Sequence, residues 1–302
     1  MRVVMALGGN ALLRRNEKPE AATQRRNVKR AVERAVAPIA QRHELVVTHG
    51  NGPQVGLLAL QAAAYRAVRP YPLDILGAES EGMIGYLIEL EIANALTGRD
   101  VATLLTSVEV DAADPAFAAP SKPIGPVYGD IEAKRLTAEL GWPMVRDGAG
   151  WRRAVPSPMP RRIREIGAIR LLLRVGVIVV CAGGGGIPVA IDRSGGLRGV
   201  EAVIDKDMAS ALLAEAIGAD VLLLLTDVPA VWTQWPKPKG NPIRRTTPSA
   251  LRRVTFAAGS MAPKVEAACG FVQRTGKMAA IGAIDEAEAV LAGDAGTIIE
   301  AS

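Results

Sequence analysis

Two cysteines and two histidines in 302 residues stand at no recognisable ligand spacing, so no zinc or other metal centre is expected. Cys181 and Cys269 each sit in an apolar stretch and read as small buried side chains in a reducing compartment. Aromatic residues make up only 4% of the chain, so stacking platforms for nucleobases are missing. The 36 Lys and Arg exceed the 31 Asp and Glu by a modest margin and are scattered in short pairs such as Arg14-Arg15, Arg161-Arg162 and Arg252-Arg253. That pattern argues against a nucleic-acid partner, while its sign suits small anionic metabolites. No apolar run approaches a membrane span. The apolar start MRVVMALGGNALL is broken by Gly-Gly-Asn where a signal peptide would continue, so a cytoplasmic protein without a membrane partner is expected. A Walker loop and a strict GxGxxG fingerprint are also missing, because Gly50-Asn51-Gly52-Pro53-Gln54-Val55-Gly56 is one residue too long. P-loop NTPases and ordinary nicotinamide dehydrogenases therefore lose ground.

What is present is 49% hydrophobic sequence, largely aliphatic, arranged as short strands separated by longer helices. Val3 to Leu7, Leu45 to Thr48, Val101 to Leu105, Val175 to Cys181, Val221 to Leu225, Met278 to Ile281 and Thr297 to Ile299 read as strands. Helices are expected near 23–41, 54–66, 76–96, 161–174, 205–217, 261–274 and 286–291. The alternation predicts an α/β fold with a predominantly parallel central sheet and helices on both faces. Residues 111–160 differ in texture, with eight prolines and one short helix near 131–140, and read as a small subdomain or lid. The expected division is an N-terminal lobe, 1–182, carrying that excursion, and a C-terminal lobe, 183–302, with the boundary at the glycine run.

Four polar glycine junctions follow apolar strands: Gly8-Gly9-Asn10, Gly50-Asn51-Gly52, Gly183 to Gly186, and Gly259-Ser260 before Met261. Glycine lets the backbone approach a phosphate and aim N–H groups at it, and a following helix N-terminus adds a favourable dipole. Any one junction also reads as a plain turn; together they mark one rim of the sheet. Lysine is scarce, nine against 27 arginines, and three lysines lie beside such turns: Lys122, Lys206 and Lys264. Lysines clamping a migrating phosphoryl group from several sides suit phosphoryl transfer, which asks little covalent chemistry of the protein. Asp205 and Asp207 either bind a cation, or hold Lys206 and Lys264, or simply cap a helix. Asp227, closing VLLLLTD, is placed to organise a nucleotide or a lysine. His49 serves either a substrate or its own turn, and Asn10 and Asn51 offer neutral donors and acceptors to a small planar acid.

The ordered stretches VVMALGGNAL, THGNGPQVG, SKPIGP, WRRAVPSP, CAGGGGIPV, EAVIDKDMAS, LLTDV and GSMAPKVEAA span nearly the whole chain. Together they resemble the carbamate kinase branch of the amino acid kinase family. The resemblance implies reversible transfer, ATP + carbamate = ADP + carbamoyl phosphate, with Mg²⁺ carried mainly by the nucleotide phosphates and with two lobes, a small protruding subdomain and a homodimer. It assigns Gly8, Gly9, Asn10, Gly50, Asn51, Gly52, Gly184 and Gly185 to the small acid and the moving phosphoryl group. Lys206, Lys264, Asp207 and Lys122 become catalytic, Lys122 reaching the site from the closing subdomain. Thr226, Asp227, Val228, Met261 and Lys264 fall to ATP or ADP. Other amino acid kinases usually carry a lysine where this chain has Ala6, and Lys206 supplies the missing charge. Ala258 and Ala262 depart from the usual pattern without removing a charged group. A related small-acid kinase and a non-catalytic nucleotide sensor are the competing readings.

Overall fold

A computed structural model describes residues 1–13, 17–65, 69–233, 241–256 and 261–301, with residues 10 and 11 described by their backbone alone. The strand Arg2–Leu7 holds the middle of an eight-stranded sheet. On one side follow Glu44–His49, Ile178–Val180 and Val101–Thr103; on the other Val221–Thr226, Met278–Ala283, Thr297–Ile299 and Arg245–Thr246. Every pairing is parallel except that of Met278–Ala283 with Thr297–Ile299.

Alternation along the central strands explains why both faces are covered. Val4, Ala6, Leu222 and Leu224 belong to one core, which the helices Ile166–Arg174, Lys206–Ile217 and Met261–Thr275 complete. Val3, Met5, Leu7, Leu223 and Leu225 point the other way, into a second core built with the helical stretch 21–40 and the helices Leu73–Ala95 and Ala287–Ala292. Such continuous apolar strands, buried on both sides, are the mark of a parallel sheet. The helical stretch 21–40 contains one wide π turn at Val32–Val36, where the Ala37 N–H reaches back to the Val32 carbonyl. Pro38 follows at once, and without an N–H it cannot continue a regular ladder through that turn.

The expected helix over 161–174 is shorter than its pattern suggested. Pro160–Ile163 is instead an edge strand, antiparallel to Ser107–Val110, and the helix begins at Ile166. Pro158 and Pro160 bias the chain toward extended backbone, and the exposed Arg161 and Arg162 suit a strand at a sheet edge.

Within 111–160 the structure forms a three-stranded antiparallel sheet, Lys122–Tyr128, Gly150–Val155 and Met144–Asp147. The helix Asp130–Leu140 covers it through Tyr128, Ala133 and Leu136, with Trp142, Met144 and Trp151 alongside. Arg153 stacks on the Trp142 ring at 4.2 Å. Pro123 and Pro126 lie on the edge strand and its irregular turn, where a missing N–H costs least. This layer rests on the helix Gly52–Ala64 at a point of very close approach: a Cβ on Gly56 would fall 1.9 Å from the Gly125 Cα.

Candidate active site

Four adjacent strands, Val221–Thr226, Arg2–Leu7, Glu44–His49 and Ile178–Val180, end on the same rim of the sheet. Each continues into one of the polar turns, so three glycine junctions and Asp227 lie side by side where parallel sheets place ligands. Backbone bonds set their spacing: Gly8 N–H donates to Leu225 O at 3.0 Å and Gly50 N–H to Leu7 O at 3.1 Å. A Cβ on Gly50 would lie 3.2 Å from Gly9 N and 3.5 Å from Lys206 Cδ, so these two turns touch each other and the lysine stem. Asn10 lies in the helical turn Gly9–Leu12, and its side chain is outside the described residues. Gly52 opens the helix Gly52–Ala64. The junction Gly259-Ser260 and most of the loop between Trp235 and Pro242 also fall outside the described residues.

The helix Lys206–Ile217 delivers the charged cluster. Asp205 caps it, accepting the N–H groups of Asp207 and Met208 on Oδ1, while its Oδ2 accepts Lys122 Nζ at 2.9 Å. Asp207 stands one residue inside, almost wholly buried, and takes Lys206 Nζ on Oδ1 at 2.7 Å and Lys264 Nζ on Oδ2 at 2.9 Å. The open choice between helix cap, ion pair and cation site therefore divides: Asp205 caps and pairs, and Asp207 pairs twice. Among the described residues no group of three or more His, Cys, Asp and Glu side chains is arranged to hold a metal ion.

The electrostatics follow from this geometry. Burial by itself would raise the Asp207 carboxyl, but Lys206 and Lys264 hold it far below the usual carboxylate range. Burial depresses the Lys206 ammonium, Asp207 opposes that and Lys264 adds to it, leaving Lys206 below its ordinary value. Lys264 is also buried, yet Asp207, with help from Asp205 and Asp227, lifts it above its ordinary value. The cluster thus gathers three ammonium groups, Lys122, Lys206 and Lys264, against Asp205, Asp207 and the nearby Asp227.

The remaining expected positions are near the cluster. The glycine run bends through left-handed backbone at Gly184, Gly185 and Gly186, with φ of 66°, 95° and 83°. A Cβ on Gly184 would strike the Asn51 amide at 2.1 Å and one on Gly185 the Ile204 carbonyl at 2.5 Å, so only glycine lets the run lie between these two segments. Thr226 closes its strand and donates its hydroxyl to Asp227 Oδ1 at 3.0 Å, with Asp227 exposed and Val228 half-buried beyond it. Met261 begins the helix that carries Lys264.

Two expectations change in detail. His49 is fully enclosed, and burial, with the Lys206 charge nearby, lowers its pKa to about 4, so it is a neutral imidazole against Gly183. The Asn51 Nδ2 is committed to the protein, donating to Ser80 Oγ at 2.8 Å. Ser80 and its neighbour Glu81 were not singled out by sequence reasoning. Glu81 has no exposure and accepts Gly183 N–H at 2.8 Å and Thr106 N–H at 3.2 Å. Burial lifts its pKa to about 8 against the pull of those two N–H groups.

A mostly parallel sheet with glycine turns and a lysine cluster on its C-terminal rim defines a site for handling phosphate groups. The model of the amino acid kinase family matches residues 1–282. A carbamate kinase of Rhizobium meliloti (strain 1021) is 56% identical over 305 aligned residues, covering 100% of this chain and 94% of that protein. Carbamate kinase from Giardia lamblia bound to citric acid superposes with a TM-score of 0.94 at 40% identity, covering 100% of this chain and 98% of that one. The same enzyme bound to AMP-PNP superposes with a TM-score of 0.90, also at 40% identity and with the same coverage of both chains. The chain belongs to the amino acid kinase family and, within it, to the carbamate kinases.

Proposed function

We infer that this protein is an ATP-dependent phosphotransferase acting on carbamate, with ATP + carbamate = ADP + carbamoyl phosphate run in either direction. The observation that carries the reading is Asp207 holding two buried lysines at the rim where three glycine turns meet. Full-length identity to carbamate kinases and the AMP-PNP complex of a relative support the substrate and the nucleotide.

The chemistry needs few groups. A carbamate oxygen, already anionic, attacks the γ-phosphorus; the bond to the β,γ-bridging oxygen breaks, and ADP leaves with that electron pair. No strong base is required, so preorganised N–H groups and ammonium charges provide the catalysis. In this reading Gly8, Gly9, Asn10, Gly50, Asn51 and Gly52 face the small acid and the moving phosphoryl group from the N-terminal side, 1–182. Gly184 and Gly185 meet that group from 183–302, where Thr226, Asp227, Val228 and Met261 receive the nucleotide. Lys206 and Lys264 neutralise the transferring and β-phosphate oxygens, Asp207 aims both, and Lys122 closes over the acid from the 111–160 excursion. Its contact with Asp205, 2.9 Å away, is what a closed cover would make.

Mg²⁺ would arrive on the nucleotide phosphates. The oxygens of Asp205 and Asp207 already accept lysines and helix N–H groups, so these carboxylates would leave most of its coordination to the phosphates. Bound there, it adds positive charge to the phosphate oxygens. The helix Leu73–Ala95 exposes Ile75, Met83 and Tyr86, with Leu105 beside them, and this apolar stripe is the face on which we place a homodimer contact. A cytoplasmic location fits the substrate and the two free, buried cysteines.

The test is the initial rate of ATP formation from ADP, Mg²⁺ and carbamoyl phosphate, corrected for spontaneous decomposition, with acetylglutamyl phosphate and aspartyl phosphate compared. ATP that depends on all three components supports the reading. A folded, nucleotide-binding protein that forms none from carbamoyl phosphate refutes it.

A further inference from the structure

The helix Leu73–Ala95 buries Leu73, Leu76, Ile84, Leu87, Ile88 and Ile92 as expected of a helix covering a sheet. Ser80 and Glu81 break that series, both with no exposure. An apolar pair would cost less there, since a buried polar group must be matched by partners. Their partners are the two glycine loops. Ser80 donates its hydroxyl to Gly77 O at 2.8 Å and therefore accepts the Asn51 amide on the same oxygen, which fixes the orientation of Asn51 between Gly50 and Gly52. Glu81 takes the Gly183 N–H on Oε1 and the Thr106 N–H on Oε2. Thr106 Oγ1 in turn accepts Ala182 N–H at 3.0 Å, so the entry to the glycine run is held twice. The loops then meet directly, because Asn51 occupies the space where a side chain on Gly184 would stand.

We propose that Ser80 and Glu81 are positioning residues that fix the separation of the 50–52 and 183–186 loops across which the phosphoryl group passes. The proposal rests on the phosphotransferase reading above. Adjacent helical residues diverge by about 100° around the axis, so one rigid turn of helix can address both loops. Neither side chain touches the substrate in this scheme. Their effect is on alignment, which is spent in the transition state more than in ground-state binding.

The experiment measures kcat and KM for ADP and carbamoyl phosphate in the full chain and in Ser80→Ala, Glu81→Ala, Glu81→Gln and Glu81→Asp, with Kd for AMP-PNP measured separately. Ser80→Ala and Glu81→Ala are expected to lower kcat roughly 10- to 100-fold. Both KM values and the AMP-PNP Kd should stay within about three-fold of wild type. Glu81→Gln should recover most of the loss, because its amide oxygen still accepts Gly183 N–H; Glu81→Asp is too short to do so. A folded Ser80→Ala or Glu81→Ala with wild-type kcat overturns the proposal, as does a fall in kcat matched by equally weakened AMP-PNP binding. If Glu81→Ala does not fold, Ser80→Ala and the Gln-against-Asp contrast decide the matter. Wild-type protein that forms no ATP in the same assay refutes the reaction itself and the role of the pair with it; active wild type with unaffected variants refutes the pair alone.

Discussion

An Asp207→Asn substitution keeps the shape of one side chain and removes the single negative charge that two ammonium groups share. Lys206 and Lys264 approach opposite oxygens at 2.7 and 2.9 Å. At such distances, with an effective dielectric near 20, each pair attracts by roughly 6 kcal/mol before desolvation is subtracted. Asparagine also turns an NH₂ group toward one of the ammonium donors, so an acceptor is lost as well. Part of the penalty is relieved when Lys206, already depressed by burial, releases its proton. The net loss of folding stability should be about 3–5 kcal/mol, the usual cost of stranding a buried charge. Urea unfolding at pH 7, with and without saturating ADP, measures it. Nucleotide phosphates bring the missing negative charge, so ADP should stabilise the variant more than the wild type, provided that it still binds. A variant within about 1 kcal/mol of wild type, the range of exposed pairs, would refute the argument. So would a deficit that bound ADP leaves unchanged.

Lys206→Ala and Lys264→Ala should each lower kcat about 100-fold, or roughly 3 kcal/mol in the transition state, as read by ATP formation with circular dichroism confirming the fold. Stability should fall by about 2 kcal/mol between pH 6.5 and 8 through Glu81 and stay flat there in Glu81→Gln, as followed by denaturant titration. The sign follows from a carboxyl that keeps its proton in the folded state up to about pH 8 and loses it when unfolded. His49, lowered to about 4, acts in the opposite direction only below pH 6.5, so it does not mask this window. Gly56→Ala pushes a methyl group into the Gly125 backbone and should destabilise the 122–155 layer by about 1–3 kcal/mol, seen as faster limited proteolysis there. Gly129→Ala, which meets nothing within 4 Å, is the control.

Strands flanked by glycine were readable because a parallel sheet demands long apolar runs and leaves its turns at one rim. Lys206 and Lys264 stood out because lysine is rare in this chain and both flank such turns. Ser80 and Glu81 gave no such signal. In a helical stretch, two polar residues look like part of a solvated face until the sheet order brings the glycine run beneath them. The three strands within 111–160 were hidden by prolines, which argue against regular structure unless one knows that Lys122–Tyr128 is an edge. Arg161 and Arg162 carried helix-compatible composition, and tertiary pairing with Ser107–Val110 overrode it. His49 could be read as substrate-facing only while its burial was unknown.

The four strands that lead into the three glycine turns and Asp227 are neighbours in one hydrogen-bonded sheet, so the spacing of their ends is quantised. Three intervals of about 4.8 Å separate the strand Val221–Thr226 from Ile178–Val180, near 14 Å in all. Hinge motion of one loop-bearing half against the other would have to tear the ladder between Arg2–Leu7 and its partners on either side. The frame behaves as a ruler, and the layer resting on Gly56 is tied to it through Lys122 and Asp205. The spacing of the loop roots is thus set by the sheet, and side-chain contacts such as that of Asn51 with Ser80 decide only how the loops lean from those roots.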